Sequence, residues 1–227
     1  MAQERTDVTL ARPDRRELGV ACAMRTFVAL SALLLASAAP AAATGATYAI
    51  VESKSSVQIH VGKSGLLSFA GHKHEVQAPV SGTVTADPAN LAGSSVELAF
   101  PSARLRVVPD GEPSGDAPKV EEVMHGPAVL DAIRFPEIRF RSKTVGGRSL
   151  STGSYDLNLV GELSLRGVTR EITVPVTVTL EGRALTATGQ ATLRQDQFGM
   201  KPVSAGGGTV KVANAIRIDF KIVAEQR

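Results

Sequence analysis

Four histidines are the residues best suited to binding or proton chemistry, and two of them lie close together in the chain. In His72-Lys73-His74 an extended backbone would place both imidazoles on one face. That spacing can bind a metal, although a zinc site needs further ligands, and His60 and His125 are the only other histidines. The pair could equally contact a polar head group, or form a turn whose imidazoles bond to nearby backbone groups.

The remaining polar motifs do not assemble into a catalytic site. His60 lies in an alternating pattern that points it outward, and His125 ends a helical segment, where it would cap carbonyl groups. Glu121 and Glu122 are adjacent, so they point in different directions and indicate a solvated helix face. Glycines 206–208 lack the lysine and the helix of a phosphate-binding loop and predict a hairpin tip. We predict that the chain is not an enzyme, and we assign it no catalytic residue, no metal ligand and no cofactor.

The elements that must position these residues are almost all β-strands. Between residues 172 and 180 every second residue is apolar, so this segment has one dry and one wet face, with Pro175 on the wet face. Similar runs are separated by turn residues along the rest of the chain. The predicted strands are residues 57–61, 82–86, 95–100, 137–143, 155–165, 172–180, 185–193 and 210–223.

One irregular stretch, residues 102–132, interrupts the strands. Residues 119–125 have the spacing of an amphipathic helix that Gly126-Pro127 would end, and residues 128–132 predict one further helical turn. Gly161 interrupts a long alternating run and predicts a bulge or a sharp bend. Strands without long intervening helices predict an all-β sandwich or barrel with this one short helical insertion.

The N-terminal segment has the features of an export signal. It starts at Met24 with one positive charge, continues as an apolar run, and ends in Ala41 and Ala43, the small-residue pattern of a cleavage site. We predict that residues 1–43 are an extension and signal peptide, with the true start at Met24 or, as the alternative, with residues 1–23 as a long n-region, and that residues 44–227 are the mature domain. The run is short for a membrane span, so a periplasmic or secreted protein without a stable transmembrane anchor is expected.

The composition of residues 44–227 excludes several classes of function. They carry 20 Lys and Arg against 18 Asp and Glu, scattered along the chain, and we predict no nucleic-acid partner. They contain no cysteine, which excludes disulfides and a thiol nucleophile. Six Phe, two Tyr and no Trp leave few bulky side chains to fill a barrel, which favours an internal cavity.

Two long segments are similar to sequence blocks of a known family. Residues 129–142 (VLDAIRFPEIRFRS) resemble a block of the form LDxxxFPxIxFxS, and residues 161–176 (GELSLRGVTREITVPV) resemble GxLTxxGVTxxVxxPV. Residues 55–59 (SSVQI) and 196–199 (DQFG) resemble two further elements, and all four occur in the family's order. The chain thus resembles the YceI-like group of exported bacterial proteins. This resemblance implies a single antiparallel lipocalin-like β-barrel of about eight strands that holds an isoprenoid lipid.

One segment departs from the family's common pattern: residues 64–76 (SGLLSFAGHKHEV) resemble a subgroup with a Gly-His-x-His element. The predicted function is a binding protein that holds an isoprenoid-type lipid for transport, storage or sequestration. The alternatives are a stress-response or structural module of the cell envelope with a filled barrel, and a metal- or quinone-linked redox accessory that uses His72 and His74. A homodimer is a further prediction. The predicted ligand contacts are Phe69, His72, His74, Phe100, Met124, Ile138, Phe140, Leu157, Leu159, Leu163, Val174, Val176, Phe198, Ile218 and Phe220.

Overall fold

The computed structural model describes residues 45–64, 73–110, 112–205 and 210–227. Strands account for most of these residues, as the alternating patterns predict. In chain order the elements are β1 (Ala46–Ile50), β2 (Ser56–Ser64), β3 (His74–Gln77), β4 (Ser81–Ala86), β5 (Ser95–Pro101), β6 (Arg106–Val107), α1 (Ala117–His125), β7 (Glu137–Ser151), β8 (Ser154–Leu165), β9 (Val168–Glu181), β10 (Ala184–Arg194), β11 (Ser204–Ala205) and β12 (Val210–Gln226).

Eight strand positions close into an antiparallel barrel. The first three positions are broken strands, in which β1 continues as β2, β3 as β4, and β5 as β6. Strand β12 pairs along one edge with β10 and along the other with β2 and then β1, and these pairings close the sheet. The predicted all-β barrel of about eight strands with one short helix is confirmed.

Strand β9 shows how the sequence determines the two faces of the barrel wall. Val174, Val176 and Val178 point inward and are buried, whereas Thr173 and Pro175 point outward and are exposed. Pro175 lies on the exposed outer face, as predicted. Its ring nitrogen has no N–H to donate to a neighbouring strand. The period of two therefore predicts which side chains face the interior.

Two inward-facing glycines make room for phenyl rings on the inner wall. A β-carbon at Gly161 would lie 2.7 Å from Cζ of Phe140, and one at Gly189 would lie 2.6 Å from Cζ of Phe220. Each ring therefore occupies the space that a side chain at the glycine on the neighbouring strand would need. Glycine at these two positions keeps the rings close to the wall of the barrel.

The bulge predicted at Gly161 of β8 occurs instead in β7, the strand that is paired with it. Gly161 is paired with Ser142 and Val160 with Thr144, so Lys143 is the extra residue of β7. A bulge bends its strand and increases the local twist, which helps a sheet to curve into a barrel.

Helix α1 starts two residues before the predicted segment and ends at His125, followed by Gly126 as predicted. Val120 and Met124 pack against the core on the inner side of the helix. Residues 128–132 form turns and not the further helical turn that was predicted. The N–H of Ala132 bonds to the carbonyl of His125, and this span is too wide for a helix.

Two polar side chains fasten α1 to the barrel. A carboxylate oxygen of Glu121 accepts a 3.1 Å hydrogen bond from the backbone N–H of Val107 in β6. His125 Nε2 lies 3.1 Å from the carbonyl of Leu105 and donates to it. The prediction of a solvated face is thus wrong for Glu121, whose carboxylate accepts the hydrogen bond of a backbone N–H at the edge of β6. It is right for Glu122, which is exposed.

A polar cluster connects the outer faces of β2, β3, β10 and β12. His60 points outward as predicted, with Nδ1 3.4 Å from Glu75 Oε1 and Nε2 2.8 Å from Asp219 Oδ2. Gln190 Nε2 donates a 2.6 Å hydrogen bond to Asp219 Oδ1. This hydrogen bond, together with the charge of Arg217 and the contact with His60, holds the pKa of Asp219 below its ordinary value.

We expect Gln190→Ala to raise the pKa of Asp219 toward its ordinary value, because the strongest hydrogen bond to the carboxylate is lost. A carboxyl group with a lowered folded-state pKa stabilises the fold above its ordinary pKa and loses that contribution as the pH falls through the lowered value. In the variant this loss begins at a higher pH. NMR titration of the Asp219 carboxyl carbon measures the shift, with Thr188→Ala as a control on the same face. An unchanged pKa would show that another group is the main cause.

Candidate functional site

The barrel encloses a cavity of about 260 Å³. Inward-facing side chains from most of the strands line it, and nearly all of them are apolar. The structure therefore brings together most of the predicted ligand contacts, although they are spread over more than one hundred residues of sequence. The predicted contacts that line this cavity are Phe100, Met124, Ile138, Phe140, Leu157, Leu159, Leu163, Val174, Val176, Ile218 and Phe220.

Two of the predicted contacts that the structure describes, Phe198 and His74, do not line this cavity. Phe198 is the correction: it is fully buried in a short 3-10 helix (Gln195–Phe198), where its ring packs into the core away from the cavity wall. The chain leaves β10 and turns back there, so the alternation of the strand no longer predicts the direction of the side chain. His74 lines a different cavity. Phe69, His72 and glycines 206–208 lie outside the described residues.

A stripe of small residues on β10 also contributes to the cavity wall and was not predicted from the sequence. Ala187 and Ala191 line the cavity on either side of the inward-facing Gly189. Because these side chains are shorter than those of Leu185 and Leu193 on the same face, they leave space in the barrel that larger residues would fill. The signal was present in the sequence as small residues on the inward phase of a strand.

Polar groups line the cavity in the turn that joins β4 to β5. The carboxylate of Asp87 accepts hydrogen bonds from the N–H groups of Ala89 at 3.1 Å and Asn90 at 3.0 Å. The hydroxyl oxygen of Ser94 accepts a 2.9 Å bond from the N–H of Asp87. These bonds stabilise the turn that bounds this end of the cavity, which gives the polar groups a structural role.

A second cavity, of about 340 Å³, lies at the other end of the barrel between α1 and the ends of β2, β3 and β12. Exposed residues such as Lys119 contribute to its lining, so it reaches solvent. It adjoins the first cavity, and we refer to it as the mouth. The residues that line both cavities are Val61, Val76, Met124, Val129 and Gln195.

His74 lies at the mouth and is oriented by a buried carboxylate. Its Nδ1 lies 2.6 Å from Oε1 of Glu112, whose side chain is only 2% exposed. A hydrogen bond of this kind fixes the orientation of the imidazole ring. On the helix side of the mouth, Lys119 forms an ion pair with Asp116 at 3.0 Å. Polar and charged groups therefore surround the opening of an apolar interior.

Comparison with known proteins identifies the family. The model of the YceI-like domain matches residues 48–224, most of the chain. The chain belongs to the YceI-like family. No curated protein sequence matches this YceI-like chain.

Solved structures share the fold of this YceI-like protein. BcnA of Burkholderia cenocepacia is 23% identical, with a TM-score of 0.58 over 77% of this chain and 98% of that chain. A polyisoprenoid binding domain from Saccharophagus degradans, implicated in plant cell wall breakdown, is 10% identical, with a TM-score of 0.55 over 79% and 98%. The YCEI protein of Campylobacter jejuni is 12% identical, with a TM-score of 0.50 over 65% and 81%. At these identities the likeness shows the fold alone.

Two further features of the described part of the YceI-like protein concern metal ions and membranes. No group of three or more His, Cys, Asp and Glu side chains is arranged there to hold a metal ion. No helix among the same residues has the length and apolar character needed to cross a membrane. The lining of the two cavities makes the apolar cavity and its polar mouth the candidate site.

Proposed function

We infer that this YceI-like protein binds an isoprenoid-type lipid, with the apolar tail in the barrel cavity. This inference rests on the lining of the cavity, which is almost entirely apolar. Apart from the tyrosine Tyr155, its polar side chains are limited to Thr85, Asp87, Ser94 and Gln195 among the described residues. A polar ligand would find few hydrogen-bonding partners along such a wall, whereas a hydrocarbon chain requires none.

The energy available from burial is sufficient to hold a lipid tail. Burying about ten methylene groups contributes on the order of 8 kcal/mol before the costs of association. No dedicated polar residue is needed for binding of that strength. The shared fold with the Saccharophagus degradans domain, which is named for polyisoprenoid binding, supports the same class of ligand.

The proposed position of the polar head group is the mouth. His74, held by Glu112, can donate or accept a hydrogen bond there, which suits an alcohol, a phosphate or a quinone oxygen. His72 is its proposed neighbour in the Gly-His-x-His element. The tail would then extend from this polar end into the apolar cavity.

The proposed biological role is transport, storage or sequestration of the lipid outside the cytoplasm, without catalysis. The signal-like character of residues 24–43 supports export to the periplasm or the medium. Sedimentation of the purified protein tests the predicted homodimer.

Binding of isoprenoid alcohols of increasing chain length, measured by calorimetry on delipidated protein, tests the proposal. We expect the affinity to rise with each added isoprene unit until the cavity is filled, because each unit buries further apolar surface. Straight-chain alcohols with the same number of carbons are the matched control for selectivity. Absence of binding at every chain length would contradict a lipid-binding barrel and favour a filled one.

A further inference from the structure

Exposed hydrophobic side chains are concentrated at the mouth end of the barrel. Of the four large hydrophobic residues that are most exposed in the described chain, three belong to segments at that end: Ile133 is 96% exposed, Val123 47% and Val203 36%. Val123 and Val203 line the mouth itself. The fourth, Leu150, is 53% exposed and lies near the tip of the β7–β8 hairpin at the opposite end. Exposed apolar side chains grouped at one end of a protein are typical of surfaces that a partner covers.

The turn that presents Ile133 is firmly built. Asp131 adopts a positive φ of 49°, and its carbonyl accepts hydrogen bonds from the N–H groups of Arg134 at 3.0 Å and Phe135 at 2.9 Å. The ring of Phe135 packs so closely on the β8–β9 turn that a β-carbon at Gly167 would lie 2.6 Å from its Cε1. Ile133 therefore projects from a fixed support.

Positive charge lies beside this turn. The guanidinium of Arg166 donates a 2.7 Å hydrogen bond to the carbonyl of Pro127, and the N–H of Lys201 donates a 3.0 Å bond to the carbonyl of Ala128. Arg166 is thus attached by its side chain, and Lys201 by its backbone, to the segment that leads to Ile133. Within the described ranges, no carboxylate lies within ion-pair distance of either side chain. The exposed ammonium of Lys201 is therefore available to an anionic partner, and the half-buried guanidinium of Arg166, which also donates to the carbonyl of Gly199, adds positive charge beside it.

We propose that this surface, formed by Val123, Ile133, Arg166, Lys201 and Val203, docks the mouth of the barrel on an anionic lipid bilayer. Apolar side chains next to uncompensated cations suit the bilayer interface, because the apolar groups enter the acyl boundary while the cations meet lipid phosphates. Charge complementarity and continuity with the mouth identify a bilayer as the occupant. The purpose of docking rests on the proposed function, since a lipid ligand must leave or enter a membrane, but docking itself is measured without that ligand.

Vesicle co-sedimentation of the protein, in the form purified from the cells that produce it, tests the proposal. The vesicles are phosphatidylcholine mixed with phosphatidylglycerol, and phosphatidylcholine alone. We expect stronger binding to the mixed vesicles and a loss of that difference at high salt. Ile133→Ser should weaken binding roughly tenfold, and Lys201→Glu at least about fivefold.

The matched controls are Leu150→Ser and Arg148→Glu at the opposite end, which should leave vesicle binding unchanged. All four positions are exposed, so thermal melting should show folded proteins in every case. Equal binding to the two kinds of vesicle, or equal losses at both ends of the barrel, would overturn the proposal. Isoprenoid binding measured without vesicles separates the two claims, because Ile133→Ser should retain it even where vesicle binding is lost.

Discussion

Ala187→Trp should weaken binding of an isoprenoid ligand roughly a hundredfold and leave the fold at least as stable as the wild type. Ala187 faces the cavity from β10, so an indole at this position would project into the space proposed for the lipid tail. Loss of about a third of an 8 kcal/mol burial term would weaken binding roughly a hundredfold. Calorimetry with a long isoprenoid alcohol measures the affinity, and urea unfolding measures the stability.

The control for this variant is Thr188→Trp, which places the same indole on the outer face one residue along the strand. It should retain the ligand. Ala191→Trp repeats the test at a second position on the cavity wall, in case the first variant does not fold. A barrel already filled by side chains would respond differently, because an extra indole would overpack it and cost about 1–3 kcal/mol of stability. Destabilisation without any change in lipid binding would therefore contradict the cavity.

Phe198→Ala should lower the free energy of unfolding by about 3–5 kcal/mol, because it removes a phenyl ring that is fully buried in the core. The ring does not line the cavity, so we expect unchanged affinity for isoprenoid alcohols under conditions in which the variant is folded. Urea unfolding monitored by circular dichroism measures the loss of stability.

Phe100→Ala is the matched comparison, because Phe100 is only partly buried and does line the cavity. Its loss should cost less stability than that of Phe198 and should change the affinity for the ligand. The pair separates residues that support the barrel from residues that shape its interior. A small cost at Phe198, or weaker ligand binding in that variant, would show that the assignment of the two roles is wrong.

The period-two pattern was sufficient to predict the wall of the barrel. In β8 and β9 it placed Leu157, Leu159, Val174 and Val176 on one face, and these residues line the cavity. This works because a strand with one wet and one dry face has a single register that buries its apolar side chains. The alternation therefore contains the information about which residues meet in the interior.

The features that the sequence did not reveal depend on contacts between distant segments. Local patterns do not encode the break between β1 and β2. They also do not encode the hydrogen bond from the N–H of Val107 in β6 to the carboxylate of Glu121. Phe198 was misassigned because it lies beyond the predicted strand 185–193, in a short 3-10 helix where the period of two does not give the direction of its ring. The space beside Ala187 could not be predicted without knowing which residues lie across the barrel. A small residue predicts a cavity only when its neighbours do not fill the space that it leaves.

Native mass spectrometry of the protein, purified from its own host without detergent, distinguishes a barrel occupied by lipid from an empty or filled one. We expect a species with one isoprenoid-type lipid bound per chain, retained in Thr188→Trp and strongly depleted in Ala187→Trp. Organic extraction of the same samples would identify the lipid. Repeated recovery of the wild-type protein without lipid, in preparations where it is folded, would contradict the account.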